Sequence, residues 1–193
     1  PDELVFSPSQ PLPPATTFKA SVSKEVLQYT SFGKVSGSDA INFFTPDLTL
    51  ESSNVTWIAN DEKSATASPQ VDLYFNYPVN PASIKEKLKL EIGGAAVNYS
   101  IITLSNDNRI SLRLSGLKME DKDLESKISL EKGLLPEGGS NATKEPIEAK
   151  VFIPSPFNLT INDVSAEHDG AGGTVTVRTS QQVLTDQISS FIK

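Results

Sequence analysis

No cysteine occurs in the 193 residues. That excludes disulfides, thiolate metal sites and a cysteine nucleophile, and it leaves the compartment open. Histidine is nearly absent as well. His168 is the only one, in the turn-like stretch Ala166-Glu167-His168-Asp169-Gly170, so neither a histidine-based zinc site nor a Cys–His pair can be assembled from one chain. Counting alone leaves a Ser–His–Asp triad open, but no Gly-x-Ser-x-Gly elbow is present. Basic residues are outnumbered: 17 Lys and Arg stand against 24 Asp and Glu, for a net charge of −7. Phosphate recognition needs a basic stripe, so nucleic acid is excluded as a partner and an anionic bilayer is disfavoured. No apolar run reaches the roughly 18 residues of a membrane-spanning helix. The opening Pro1-Asp2-Glu3 resembles neither part of a signal peptide, which predicts a mature or excised segment.

What the chain does contain is period-two alternation cut by turns. Thirteen Pro and eleven Gly punctuate short apolar runs. Val71-Asp72-Leu73-Tyr74-Phe75, Ile110-Ser111-Leu112-Arg113-Leu114, Lys127-Ile128-Ser129-Leu130-Glu131, Phe157-Asn158-Leu159-Thr160-Ile161 and Thr174-Val175-Thr176-Val177-Arg178 each put apolar residues on one face. That is the signature of antiparallel sheets buried on one side. Gly93-Gly94, Asn106-Asp107-Asn108, Gly138-Gly139 and the run from Gly170 to Gly173 supply turn residues that tolerate positive φ. Strands are expected near 3–7, 17–23, 40–45, 54–59, 70–77, 87–92, 96–104, 109–115, 125–131, 146–153, 157–165 and 173–179. Asn80 as N-cap with Pro81 behind it predicts a short helix from Pro81 to about Lys87. A second helical turn is expected over 185–190.

The sequence also repeats. At an offset of 108, residues 4–46 lie on 112–154 without a gap, with eight identities in 43 positions, among them Lys24/Lys132, Phe44/Phe152 and Pro46/Pro154. At an offset of 104, residues 71–89 lie on 175–193, matching Val71/Val175, Val79/Val183, Ile84/Ile188 and Lys89/Lys193. A period of about 105 residues is the size of one immunoglobulin-like domain. The fold class is therefore all-β, in tandem immunoglobulin-like antiparallel sandwich modules with short helical turns. The expected layout is the back half of one module at 1–47, a complete module at 48–154 and the front half of a third at 155–193. The core of the complete module is expected to include Val71, Leu73, Phe75, Val97, Tyr99, Ile101, Leu112, Leu114, Ile128, Leu130, Val151 and Ile153. Half modules expose apolar faces. Two completions stay open: a domain-swapped homodimer, or missing strands supplied by a longer chain.

Candidate chemistry is thin. The acidic groups Asp121/Asp123/Glu125 and Glu131/Glu137 carry lysines among them and lack a calcium-loop grammar, so they read as solvated edges. Trp57 suits core or domain-interface filling better than a sugar platform. The glycines from 170 to 173 have no lysine and precede a strand, which is not a phosphate loop. No catalytic, cofactor-binding or metal-ligating residue is assigned, and no cofactor is expected.

Two stretches carry a family likeness. Phe6-Ser7-Pro8-Ser9-Gln10-Pro11-Leu12-Pro13-Pro14-Ala15-Thr16-Thr17-Phe18 resembles a Phe-x-Pro-x-x-Pro-Leu-x-Pro-x-Thr-x-Tyr pattern. That pattern recurs in amino-terminal modules of bacterial α2-macroglobulin-like proteins of the Bacteroidetes type. Val71-Asp72-Leu73-Tyr74-Phe75-Asn76-Tyr77-Pro78-Val79-Asn80-Pro81 is similar to the stretch that opens bacterial Ig-like repeats. The resemblance implies a large exported parent, in the periplasm or at the cell surface and often lipid-anchored, that traps invading proteases. The family's Cys-Gly-Glu-Gln thioester has no counterpart in a chain without cysteine. Within that picture the chain supplies architecture and contacts, with other domains of its parent, and proteases, as partners. The alternative is an Ig-like array of an adhesin or S-layer type protein that binds glycan or protein. A third class, an enzyme with carboxylate chemistry, has no motif behind it.

Overall fold

The structure is a computed structural model that describes residues 5, 7–31, 33–34, 36–38, 40–60 and 66–183. It is all-β and antiparallel. The sequence-predicted strand at 3–7 and helical turn at 185–190 fall largely or wholly outside the described residues.

Two four-stranded sheets form the centre. One takes β3 (Leu50–Ala59), β4 (Ala67–Val79), β8 (Asp107–Ser115) and β7 (Asn98–Ile101), paired in the order β3-β4-β8-β7. The other takes β10 (Ile147–Ile153), β9 (Leu124–Leu130), β5 (Leu88–Ile92) and β6 (Ala95–Ala96), in that order. With the two-residue β6 set aside, the remaining strands lettered A to G in chain order give A-B-E-D facing G-F-C. This is the strand order of an immunoglobulin constant-type sandwich. Local chemistry fixes the corners. Asn80 accepts the Ala82 N–H at 2.8 Å through Oδ1 and caps the helix α1 (Pro81–Lys87) between β4 and β5. Gly93 and Gly94, at φ 58° and 82°, turn β5 into β6, because a two-residue hairpin of this twist needs positive φ at both positions.

The alternating residues meet between the sheets. Val71, Leu73, Phe75, Leu112, Leu114, Ile128, Leu130, Val151 and Ile153 are all buried in one cluster. Val97, Tyr99 and Ile101 pack against it while remaining partly exposed. Leu48, Val55, Trp57, Val79, Ile84, Leu88, Leu90, Ile110 and Leu134 complete the cluster. Several of these sit on α1 or in loops, where a period-two reading gives no signal.

Two two-stranded hairpins flank the sandwich: β1 (Thr17–Ser21) with β2 (Ala40–Phe44), and β11 (Ile161–His168) with β12 (Gly173–Thr179). They reproduce central pairings. Thr17↔Phe44, Phe18↔Phe43 and Ala20↔Ile41 in β1–β2 become, at an offset of 108, Glu125↔Phe152, Ser126↔Val151 and Ile128↔Ala149 in β9–β10. The β11–β12 hairpin follows β3–β4 with a shorter turn, at an offset of 111 on its first strand and 104 on its second. Val175 opposes Ala166 as Val71 opposes Val55, and the bulge between Ile161 and Asp163 matches the one between Leu50 and Ser52.

Two sequence expectations are corrected. The alternation from Phe157 to Ile161 is not strand at its start. Ser155 Oγ accepts the Phe157 N–H at 3.2 Å and Ser155 O accepts the Asn158 N–H, so the chain turns here and β11 begins at Ile161. The run 96–104 is not one strand. It pairs with one sheet at β6 and the other at β7, crossing at Val97, and leaves the ladder after Ile101. Residues Lys24–Tyr29, for which no element is expected from the sequence, form a 3₁₀ helix capped by Ser23, whose side chain accepts the Glu25 N–H.

Candidate interaction surfaces

The joints come first, because they hold the side chains that the sequence singled out. Trp57 lies on β3 and is only 3% exposed. Its indole Nε1 donates to Pro154 O at 2.7 Å, just past β10. Its backbone N–H donates to Ser180 O at 2.8 Å, and its carbonyl accepts Gln182 N–H at 2.8 Å. Trp57 therefore clamps the segment after β12 against the free edge of β3, as an interface filler with its polar end satisfied. Asp121 and Asp123 serve the same joint. Asp123 Oδ1 accepts the Ser155 N–H at 2.8 Å and Asp121 Oδ1 accepts the Ser155 hydroxyl at 2.9 Å. These carboxylates stay exposed, and from the surface they fasten the chain as it leaves β10.

The opposite joint is built on Ala15, fully buried at φ 41°. Its N–H donates to Pro46 O at 3.1 Å and its carbonyl accepts the Asn141 N–H at 2.7 Å. Thr16 and Ser140 share a hydroxyl hydrogen bond at 2.9 Å. The stretch 6–18 and Pro46 stood out in the sequence, but the burial of Ala15 did not, since a buried Ala with positive φ leaves no compositional mark.

His168 sits at the exposed tip of β11–β12, where its Nδ1 accepts the Gly170 N–H at 3.0 Å. Beside it Asp169 Oδ1 accepts the N–H groups of Gly172 and Ala171 at 2.8 and 2.9 Å. Those two amides, Gly172 first, hold the Asp169 carboxyl below the usual range. The glycine run is thus a hairpin turn that uses its own histidine and aspartate as internal acceptors. Glu131 pairs with Lys89 at 2.6 Å, and that charged hydrogen bond keeps its carboxyl low as well. Among the described residues no group of three or more His, Cys, Asp or Glu could hold a metal ion.

The outer face of the β3-β4-β8-β7 sheet carries a polar set. Ser111 Oγ and Gln70 Nε2 both donate to Asp72 Oδ1, at 2.6 and 3.1 Å, and Arg113 Nη2 donates to Gln70 Oε1 at 3.2 Å. These groups bond one another across β4 and β8, although Arg113 Nε is left buried without a hydrogen-bond partner.

The terminal hairpins expose what the central strands bury. On β1–β2, Phe18, Ala20, Val22, Ile41 and Phe43 line a half-open apolar groove of about 870 Å³ together with Leu12. The Phe18 and Phe43 rings stack at 5.3 Å. On β11–β12, Val164, Ala166, Val175 and Val177 share one face, and all are exposed. Contiguous apolar patches of this kind mark contact surfaces. The signal for both was in the sequence, in the spacing Phe18-x-Ala20-x-Val22, Ile41-x-Phe43 and Val175-x-Val177. No protein-family model and no curated protein matches the chain.

Proposed function

We propose that this chain is a non-catalytic scaffold and interaction segment of an exported protein, of the kind found in bacterial α2-macroglobulin-like protease inhibitors. The observation that carries the scaffold reading is the repeated pairing. Both flanking hairpins keep the register of central strands, and one keeps their bulge. A register is set by which side chains must share a face, so its recurrence supports tandem copies of one sandwich module. On this reading 48–154 is the complete module, 1–47 the end of the one before it and 155–193 the start of the next. The polar side chains described above are committed to joints, turns and sheet pairs, which is what a scaffold requires. The family part of the proposal rests on the two stretches at 6–18 and 71–81.

The first test is limited proteolysis. The expected outcome is a resistant fragment close to 48–154, with cleavage at the tips of the flanking hairpins. Uniform digestion without that fragment would remove the modular reading. The second test is the coding sequence around this segment. A parent of well over a thousand residues with a thioester module supports the protease-trap assignment, and a cell-wall anchor would replace it with an adhesin or S-layer type array. The open groove on β1–β2 is equally at home in such an array.

A further inference from the structure

The two uncovered hairpins are the two halves of one interface that the chain already displays closed. In the central sandwich, β3 meets β10 across the sheets. There the inner face of β3–β4 (Val55, Val71, Leu73, Phe75) and that of β9–β10 (Ile128, Leu130, Val151, Ile153) join in one core. The β11–β12 hairpin is the register-matched equivalent of β3–β4, and β1–β2 is the equivalent of β9–β10. Their residue sizes are complementary. Centrally the bulk lies on the β3–β4 side, in Trp57 and Phe75, against aliphatic Ile, Leu and Val. In the hairpins the bulk moves to Phe18 and Phe43 on β1–β2, and the opposing set is the smaller Val164, Ala166, Val175 and Val177. Total volume is what a two-layer core must conserve.

Within one chain the two hairpins cannot meet. The β11–β12 joint is tied to Asp121 and Asp123, at the start of β9. The β1–β2 joint is tied to Ser140 and Asn141, in the connection that follows the end of β9. The hairpins are thus held at opposite ends of a strand that spans roughly 20 Å. We propose that the β11–β12 hairpin of one copy covers the β1–β2 groove of a second copy, so that copies join head to tail. The two faces differ and sit at opposite ends of each copy, so the contact is heterologous and, used head to tail, leaves an open end on every pair. This departs from a closed, swapped homodimer: growth continues past two. The inference rests on the modular reading proposed above, and the proteolysis test of that reading does not depend on molecular mass, so the two can fail separately.

The test is sedimentation or light scattering of the 193-residue chain over a wide concentration range. The expected result is a mass that climbs with concentration beyond the dimer without a plateau. Two variants sharpen it: Ile41→Glu spoils the groove and Val175→Glu spoils the hairpin face. Both side chains are 67% exposed in the single chain, so neither change removes packing that the monomer needs. Each variant alone is expected to be monomeric. A one-to-one mixture is expected to form a dimer and nothing larger, because one intact groove meets one intact hairpin and both remaining faces are spoiled. A wild-type chain that stays monomeric throughout would overturn the proposal and leave other segments of the parent as the cover. Dimers of either variant alone would overturn it too, since that requires a face to pair with itself.

Discussion

The central sandwich and its flanking hairpins use the same strand pairings and reach opposite ends of the burial scale. Val71 and Val175 are the same residue type, opposed to Val55 and Ala166 in matching registers. Val71 is fully buried and Val175 is exposed. Pairing is decided locally, by alternation, turn chemistry and the bulge. Burial is decided by whether a second sheet lies opposite. A hairpin can therefore keep the geometry of its module without the stabilisation that the module supplies, and a two-stranded hairpin alone is marginal in water.

The largest expected effect breaks that comparison at its strongest point. Phe75 is 1% exposed in the central core, and Phe75→Ala should cost about 3–5 kcal/mol. Phe44, on the outward face of β2, is 73% exposed, and Phe44→Ala should stay within about 0.5 kcal/mol. Chemical denaturation of both variants checks the pair. Equal losses would mean that stability does not reside in the two-sheet core.

A smaller effect is expected where the two regions touch. Trp57→Phe keeps most of the ring volume but removes the indole N–H, leaving Pro154 O without its partner at 2.7 Å. The expected cost is about 1 kcal/mol, at the low end of the penalty for an orphaned acceptor because Pro154 is only part-buried. Proteolysis should also quicken in the segment 155–160, because the clamp on that joint is weakened. Unchanged cleavage alongside lost stability would place Trp57 in the core alone, with no role in fixing the hairpin.

The same contrast explains what was legible in the sequence. Alternation around Val71, Leu112, Ile128 and Val151 was enough to place four central strands and the face each buries, because one sequence period maps onto one sheet face. Asn80-Pro81 announced α1 for a reason equally local. The repeat at an offset of 108 was visible because β1–β2 kept its spacing without insertion. Other features were hidden because their causes are not periodic. Ile84, Leu88 and Leu134 enter the core from a helix, its end and a loop. Ala15 is buried by the 140–141 segment, more than a hundred residues away in sequence. Asp121 and Asp123 are exposed acids, and their bonding role was hidden because their partner, Ser155, lies beyond β10. The turn at Phe157 defeated a perfect alternation, since a hydroxyl two residues earlier competes for the backbone N–H. Alternation alone does not separate a face that is covered from one that is open; the repeat layout pointed to exposed half-module faces, and the stacked Phe18–Phe43 groove took shape only in three dimensions.

The smallest expected effect sharpens the comparison by electrostatics. Glu131 follows β9 in the sandwich, and its carboxyl is held low chiefly by the charged hydrogen bond from Lys89. Asp169 belongs to the β11–β12 turn, and its carboxyl is held low by the Gly172 and Ala171 amides. Both groups are exposed, so neither contributes much to stability. The sign is the same for both. Each folded-state pKa lies below the unfolded one, so each contribution is complete above the unfolded value and is lost as pH falls through the folded one. The causes differ, and salt separates them. At 1 M salt the screening length is about 3 Å, which weakens an exposed ion pair far more than two short amide hydrogen bonds. An NMR titration followed at low and high salt should therefore show the Glu131 midpoint rising towards the ordinary glutamate range while that of Asp169 stays depressed. Lys89→Met should raise the Glu131 midpoint in the same way and leave Asp169 untouched. If both midpoints rise with salt by equal amounts, the turn at Asp169 is not held by its amides, and the hairpin tip is looser than its hydrogen bonds to Gly172 and Ala171 imply.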